Sequence, residues 1–189
     1  MRKDLGTKGT VITPLPVLII GTYDENGVAD AMNVAWGGQC SERHVAINIG
    51  HVRKTRDNIT LKREFTVSFA TVDTVAVADY FGVVSGLHVN KIEKAGVHVS
   101  KAPHVDAPII EEFPLTLECR LHSMKEEDTG EIRIVGEVVG MSADEKILNA
   151  EGKVDLDLLK PIMFDSAALT YRPLGASLAP AFKIGHTIG

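Results

Sequence analysis

The sequence has few cysteines and none of the short motifs that mark the commonest cofactor and catalytic sites. Its two cysteines, Cys40 and Cys119, lie far apart and form no CxxC pair, which excludes a zinc ribbon and a thioredoxin-type redox centre. A GxSxG elbow, a Walker A loop and a GxGxxG fingerprint are also absent. These absences exclude an α/β-hydrolase, a P-loop nucleotidase and a Rossmann dehydrogenase.

Long apolar runs and a leader segment are missing as well. The longest apolar run, residues 16–20, is far too short to cross a bilayer. The charged residues at positions 1–8 are not followed by the apolar region of a signal peptide. Two cysteines without a pairing pattern fit a reducing compartment. The sequence therefore predicts a soluble, cytoplasmic protein with no membrane partner.

The charge balance is acidic. A net charge of −5 and a pI near 5.8 argue against a nucleic-acid partner, because the lysines and arginines are interspersed with acids. The seven histidines show no HExxH or similar ligand spacing, so no metal site is expected. At 189 residues and with an ordinary globular composition, residues 1–189 are expected to form one domain.

Alternating apolar and polar residues predict a series of short strands. Asn26-Gly27 between two apolar runs predicts a hairpin, since both residues tolerate a positive φ. Gly136, within an alternating segment, indicates a bulge or a close approach of two chains. Strands are expected at residues 14–23, 28–36, 45–49, 65–69, 115–122, 131–141 and 168–171, helices at 55–62 and 73–81, and a helical turn at 91–94.

The remaining residues are expected to be mostly turns and loops. Gly82 is the predicted stop of the second helix, residues 83–114 are broken by glycines and prolines, and residues 37–41 are the loop that follows a strand. The strands have tight connections, and the helices do not alternate with them as regular crossovers. The pattern therefore favours a mainly β fold, an antiparallel split barrel with short helical excursions, over a βαβ sheet.

Residues 47–59 contain the clearest candidate site. A strand runs into a glycine turn, two cations follow at Arg53 and Lys54, and Thr55 stands where a helix is expected to begin. Unpaired N–H groups and the helix dipole attract anions at such a point, and the Thr55 hydroxyl can cap the helix or donate to a phosphate oxygen. Asn58 makes only a partial capping box with Thr55. A phosphate-bearing ligand is predicted; the alternative is a capped surface helix with solvated charges.

Two other segments offer weaker signals. Residues 30–41 end in Trp36, two glycines and small polar residues, which would let a flat ligand approach the backbone; alternatively this is a strand-end loop and Trp36 is a core anchor. Residues 84–92 place a Ser-Gly turn before Lys91 at a helix start, which suits a second polar contact, although most such lysines are solvated. Cys40 has no base near it in the sequence, so an inert thiol is the simpler interpretation.

The order and spacing of these segments resemble the flavin reductase-like family, the FMN-binding split barrels that include the flavoredoxins. The similarity extends over about residues 10–185. The segments that carry it are residues 16–22, the Asn-Gly hairpin, residues 30–36, 50–59 and 64–68, Ser85-Gly86 with Lys91, residues 117–119 and residues 134–138.

The resemblance implies a bound FMN, a homodimer with the flavin near the subunit interface, and a set of binding residues. Asn33 to Trp36 and the loop after them would lie along the isoalloxazine ring, and Arg53, Lys54 and Thr55 would hold the phosphate, while Ser85, Gly86 and Lys91 would close the site. The full set of expected FMN-binding residues is Asn33, Val34, Ala35, Trp36, Gly38, Cys40, His51, Arg53, Lys54, Thr55, Asn58, Ser85, Gly86 and Lys91.

The resemblance also implies a redox function. The flavin supplies the chemistry, so no side chain is expected to act as a catalytic acid or base. One hypothesis is a reductase that passes electrons from NADH or NADPH through FMN to free flavin, a ferric chelate or a protein. The alternative is a non-enzymatic carrier of the flavoredoxin type, reduced by a partner protein; a storage module ranks third.

Two departures from the family pattern bear on these hypotheses. Residues 41–44 stand where many relatives have an Asp-Pro-Pro element. Glu131 stands where many relatives have a histidine before the Gly-Glu-Val strand. The loss of that histidine bears more on the use of NAD(P)H than on flavin binding.

Overall fold

The computed structural model describes residues 1–7 and 12–188. Within these residues, strands supply most of the regular structure, together with four short α-helices and three single-turn 3-10 helices. The strands are β1 (Leu15–Pro16), β2 (Leu18–Tyr23), β3 (Ala29–Val34), β4 (Gly37–Ser41), β5 (His44–Gly50), β6 (Glu64–Phe69), β7 (Val99–Lys101), β8 (Pro108–Ile110), β9 (Leu115–Glu126), β10 (Glu131–Ala143), β11 (Ile162–Asp165) and β12 (Thr170–Pro173). The helices are α1 (Lys54–Lys62), α2 (Val75–Val83), α3 (Lys91–Ala95) and α4 (Leu156–Leu159).

Seven strands form one antiparallel sheet in the order β3-β2-β6-β9-β10-β5-β4. Val34 of β3 and Val45 of β5 stand near opposite ends of this order, yet both belong to one buried apolar cluster. The sheet therefore wraps around that cluster. Ile20, Phe65 and Ile134, which are fully buried, fill its centre. Burial of such side chains stabilises the fold by ~1.5–3 kcal/mol each.

Two glycines act as the sequence predicts. Gly27 adopts a φ of +75° in the turn between β2 and β3, which confirms the hairpin. The pairing of β9 with β10 shifts register between Val135 and Gly136, which confirms a bulge there. A Cβ at Gly136 would collide with the ring of Phe65, so the close approach at this position requires glycine.

Several boundaries differ from the sequence predictions. Residues 37–41 were expected as a loop, but they form β4, which pairs with β5 at the edge of the sheet. Residues 83–114 include the β7–β8 hairpin as well as α3, so they are less irregular than expected. Helix α2 continues through Gly82 to Val83, because its ends are set by packing of Ala78 and Phe81 in the core and not by the glycine.

A second, three-stranded sheet has the order β1-β11-β12. Strand β11 was missed because only four residues carry it, and β12 begins two residues later than expected. Phe164 of β11 pairs with Leu15 of β1 and with Tyr171 of β12. This sheet carries Phe164 to the groove described below. Within the described residues, no helix has the length and apolar character of a membrane span.

Candidate functional site

Three neighbouring cavities form one groove along β3 and β5. The basic cavity, about 150 Å³, shares Met32, Arg53 and Gly82 with the middle cavity, about 320 Å³. The middle cavity shares Trp36, Asn48 and Phe164 with the outer cavity, about 710 Å³. Because neighbouring cavities share walls, a ligand longer than any one of them can lie across two.

The basic cavity lies at the start of α1. The helix begins at Lys54 with Arg53 as its N-cap, one residue earlier than expected, and no side chain caps it. The prediction that Thr55 caps the helix is wrong, because Thr55 is buried and its hydroxyl faces the Asp30 carboxylate at 3.4 Å. The first N–H groups of α1 therefore have no side-chain acceptor at the N-cap, which suits an anion.

The three cations that line the basic cavity differ in their partners. Lys54 Nζ lies 3.0 Å from an Asp24 carboxylate oxygen, and Lys91 Nζ lies 3.5 Å from Asp30 Oδ1. Arg53 donates only to the backbone carbonyl of Val52, at 2.9 Å, and no described carboxylate lies within ion-pair distance of it. Arg53 is therefore the cation best able to accept an external anion.

The Asp30–Lys91 pair is almost completely buried, with each side chain 3% exposed. Burial raises the pKa of Asp30, although the positive charges of Lys91 and Lys54 oppose the rise. Burial likewise lowers the pKa of Lys91, against the attraction of Asp30. Lys91 also donates to the carbonyl of Phe81 at 3.4 Å. Through these two contacts Lys91 links the start of α3 to Asp30 on β3 and to Phe81 on α2.

Gly86 is required by this buried pair. A Cβ at Gly86 would collide with the Asp30 carboxylate, so the turn that follows α2 can approach β3 only with glycine at this position. Ser85 precedes it on the wall of the basic cavity, and its hydroxyl accepts a hydrogen bond from the Leu87 N–H at 3.3 Å. The segment 82–86 therefore forms one wall of the basic cavity.

The middle cavity is lined by the end of β3 and the residues that follow it. Asn33, Val34, Ala35 and Trp36 all border it, and Arg53 separates it from the basic cavity. The Asn33 amide donates to the Ala78 carbonyl of α2 at 2.9 Å, which fixes this wall. Trp36 is 57% exposed, so the interpretation of it as a core anchor is wrong. Its indole instead forms part of the groove surface.

The outer cavity lies between β4 and the β11–β12 hairpin. Gly38 of β4 borders it, and a Cβ there would meet no protein atom within 4 Å. Phe164, Ser166 and Leu169 form the facing wall. Arg133 of β10 also lines this cavity and is its one charged residue among those described.

The structure brings together most of the predicted site residues but not all of them. The residues on the groove walls are Asn33, Val34, Ala35, Trp36, Gly38, Arg53, Lys54, Thr55, Ser85, Gly86 and Lys91. Cys40, His51 and Asn58 line none of the three cavities. The Asn58 amide is buried and donates to the Thr22 hydroxyl at 2.9 Å, and His51 lies 3.2 Å from a Glu126 carboxylate oxygen. Cys40 is exposed on β4.

Sequence reasoning missed several groove residues. Asp30 was included only as the first residue of a candidate segment, without a binding role of its own. Nothing in the sequence around Asn48 or Phe164 indicated that either residue contacts a ligand. Arg133 could have been found: it lies two residues after Glu131 in a strand, so both share a face, and it pairs in register with Asn48. Glu131 itself pairs with Gly50 and lines none of the three cavities.

Comparison with known proteins identifies the family. A model of the flavin reductase like domain matches residues 11–166. The chain belongs to the flavin reductase-like family. The match ends within the β11–β12 hairpin, so Phe164 and Ser166 lie inside the family region and Leu169 lies outside it.

Similar solved structures cover most or all of the chain. The flavoredoxin of Desulfovibrio vulgaris is 32% identical over 98% of this chain and 100% of its own, with a TM-score of 0.92. The flavoredoxin of Methanosarcina acetivorans is 25% identical over 100% of both chains, with a TM-score of 0.91. A flavin reductase-like split-barrel protein from Shewanella frigidimarina, 19% identical with a TM-score of 0.76 over 88% of this chain and 84% of its own, shares the fold. The split-barrel prediction is therefore confirmed.

An uncharacterized protein of Archaeoglobus fulgidus is 30% identical over 118 residues. The aligned region covers 62% of this chain and 64% of the Archaeoglobus protein, which is slightly less than two thirds of its length.

Proposed function

We propose that this flavin reductase-like protein binds one FMN non-covalently in the groove and transfers electrons through it. The observation that carries the proposal is the continuity of the groove, which joins an anion site at the start of α1 to an aromatic wall at Trp36 through shared residues. FMN has the same two chemical parts, a phosphate and a flat ring system, joined by a chain.

The residues present fit this cofactor. Arg53, with no acidic partner among the described residues, and the free N–H groups of α1 would hold the phosphate. The middle cavity would hold the ring between β3, the Asn48–Gly50 end of β5 and Phe164. Gly82 borders both cavities, and a Cβ there would come 3.3 Å from Asn33 Cβ, so the narrow passage between them favours glycine.

The protein contributes position and electrostatics rather than acid–base chemistry. When bound, the flavin supplies hydride and single-electron transfer. The described walls of the middle cavity hold one ionisable side chain, that of Arg53, so we assign no catalytic acid or base. Val34 and Ile49 help exclude water from the floor of the middle cavity, and Asn33 is held in place by its bond to α2.

The two candidate functions differ in the electron donor. A reductase would take electrons from NADH or NADPH; a carrier would take them from a partner protein. The flavoredoxin from Desulfovibrio vulgaris, 32% identical over nearly the full chain, favours the carrier. So does Glu131, whose negative charge opposite Gly50 would repel a phosphate-bearing donor. The Arg133 cation on the same strand face opposes that effect, and the match of residues 11–166 to the flavin reductase like domain favours the reductase, which we place first.

Anaerobic stopped-flow mixing tests both parts of this proposal. The purified protein should be yellow, with an FMN spectrum, and dithionite should bleach it at once. Slow bleaching by NADH or NADPH supports the reductase. An absence of bleaching over minutes with both nucleotides establishes the carrier. Colourless protein that binds no added FMN contradicts both candidates.

Exposed apolar side chains in the carboxyl-terminal segment support a proposed assembly. Leu178 and Phe182 are 101% and 97% exposed, and Ile188 is 86% exposed, although such side chains usually lie inside a protein or an interface. We propose a two-fold homodimer in which residues 176–188 pack on the partner near its groove, with burial close to the ~1,600 Å² of stable interfaces. Cys40 and Cys119 are unpaired, which suits a cytoplasmic location.

Light scattering tests this assembly. The truncated variant 1–175 keeps the backbone bond from Leu174 to Pro161 and removes the exposed apolar residues after it. It should dissociate to monomers and lose FMN affinity. A full-length protein that is monomeric at micromolar concentration refutes the dimer, and a dimeric truncated protein with full FMN affinity refutes the role of the tail.

A further inference from the structure

We infer that the outer cavity is a substrate site for a planar organic monoanion, an aromatic or conjugated carboxylate, and that Arg133 binds its carboxylate. The inference rests on the proposed function, because it assigns a redox substrate to the part of the groove that a flavin phosphate and ring would leave open. It depends on the shape, the charge and one unpaired group of this cavity.

The cavity has the size and lining of a small-molecule site. Its volume of about 710 Å³ lies within the range of ligand pockets, ~300–1,000 Å³. Trp36 and Phe164, which it shares with the middle cavity, are aromatic, and Leu15 and Leu169 add further apolar surface. A flat conjugated ring can stack on such walls while it lies next to the middle cavity.

The charge of the cavity selects an anion. Arg133 is exposed, and its side chain has no hydrogen bond or ion pair with any residue that the structure describes. No carboxylate lines the outer cavity within the described part of the chain. A planar guanidinium without a partner binds a carboxylate through two parallel hydrogen bonds. One cation matches a monoanion better than the several phosphate charges of a dinucleotide.

A buried hydroxyl supplies independent support. Ser166 Oγ has no hydrogen-bond partner within the described chain and is buried in the wall facing β4. Buried polar atoms in native proteins nearly always have a partner, and this hydroxyl has its full hydrogen-bonding capacity left for a ligand group. A ring substituent such as a hydroxyl, carbonyl or nitro group would provide that partner once the side chain turned toward the cavity.

Gly38 offers a way to close the cavity without disturbing the fold. A Cβ built on Gly38 meets no protein atom within 4 Å, and its φ lies outside the left-handed region. The neighbouring Gly37 is different, because its Cβ would come 2.8 Å from Ile47 Cγ2. A Gly38→Leu side chain would therefore occupy open space at the cavity wall and displace the ligand.

The test is titration calorimetry of the FMN-loaded protein with benzoate, trans-cinnamate and the neutral amide of each. Arg133→Gln should weaken binding of both carboxylates about 10- to 100-fold, as expected for loss of a charge-assisted contact, and leave the amides unchanged. Lys125→Gln is the matched control: it removes the same charge at the register partner of Arg133 on β9, outside the cavity, and should change nothing. Gly38→Leu should abolish binding of all four probes.

Each other outcome overturns the inference. Failure of both carboxylates to bind, or equal losses in Arg133→Gln and Lys125→Gln, excludes this site. Competition by NADPH that depends on Arg133, without carboxylate binding, assigns the cavity to a dinucleotide. Dissociation of a dimer by Gly38→Leu assigns it to a second copy of the chain. FMN binding is measured separately by flavin fluorescence, so a protein that binds carboxylates but not FMN refutes the proposed function and not the anion site.

Discussion

Arg53→Ala separates phosphate recognition from ring recognition. In contrast to Lys54 and Lys91, Arg53 has no carboxylate partner in the described structure, so its removal leaves no unpaired acid behind. A folding defect is therefore not expected. Any loss of FMN affinity in the variant can be attributed to the missing guanidinium.

The size of the effect follows from the exposure of Arg53. A unit charge pair at 4 Å is worth ~1 kcal/mol in water and ~4 kcal/mol near a protein surface. Arg53 is exposed at the rim of a cavity, so an intermediate value, ~1.5–3 kcal/mol, applies. The FMN dissociation constant should rise about ten- to a hundredfold. Riboflavin, which lacks the phosphate, should bind the variant and the wild type equally.

Fluorescence titration of apoprotein with FMN and riboflavin provides the measurement. Arg56→Ala is the control, since Arg56 lies on the same helix but pairs with Asp57 and lines none of the three cavities. The control should bind both ligands normally. Equal losses for FMN and riboflavin in Arg53→Ala, or no loss for either, would show that the phosphate does not lie at the start of α1.

Three further predictions follow from individual residues. Burial raises the pKa of Cys119 to about 12, so roughly one Cys119 thiol in ten thousand is ionised at pH 8. Mass spectrometry should therefore show that iodoacetamide modifies only Cys40 in the native protein, without loss of FMN affinity. In the unfolded protein it should modify both cysteines. Gly86→Ala should destabilise the protein by ~1–3 kcal/mol in urea unfolding, because the new Cβ meets Asp30, whereas Gly175→Ala, in open space, should not. Burial raises the pKa of Asp24, but hydrogen bonds from the Val28 N–H, Lys54 and the Asn26 N–H outweigh it and leave the pKa below its ordinary value of 3.8. The charged Asp24 carboxylate therefore stabilises the fold at pH values above 3.8. Asp24→Asn should lower the free energy of unfolding at pH 7, and this loss should disappear as the pH falls through the pKa of Asp24 in the folded protein. An equal loss at pH 7 and pH 3 would contradict this.

The barrel could be predicted because the sequence features that indicate it involve residues close together in the chain. The Asn26–Gly27 turn fixes a hairpin through two residues, and the alternation at residues 115–122 identifies a strand with one buried face. Residues 37–41 were misassigned because two glycines and a serine indicate a loop by propensity, whereas pairing with β5 makes them a strand. Tertiary pairing of this kind leaves no periodic signal in five residues.

The candidate site was predicted less completely, since it depends on contacts between distant segments. The sequence indicated the cations, but it could not show that Asp24 and Asp30 already pair with two of them. Asn58 was assigned to the ligand by its spacing from Thr55, yet its amide turns inward to Thr22 on β2. Helical spacing places residues on a face, and only the packing of the neighbouring strand decides which face is buried.

The three cations of the basic cavity should therefore differ in what their removal does. Loss of Lys91 would leave the Asp30 carboxylate buried without an ionic partner. Breaking a buried ion pair in this way costs ~3–5 kcal/mol, so Lys91→Ala should reduce stability as well as FMN affinity. Loss of Lys54 would free the better solvated Asp24, with a smaller cost in stability. Arg53 alone should affect the ligand and not the fold. Because the pairing with Asp24 and Asp30 offsets two of the three positive charges, the selectivity for a phosphate depends on one guanidinium and the N-terminus of α1.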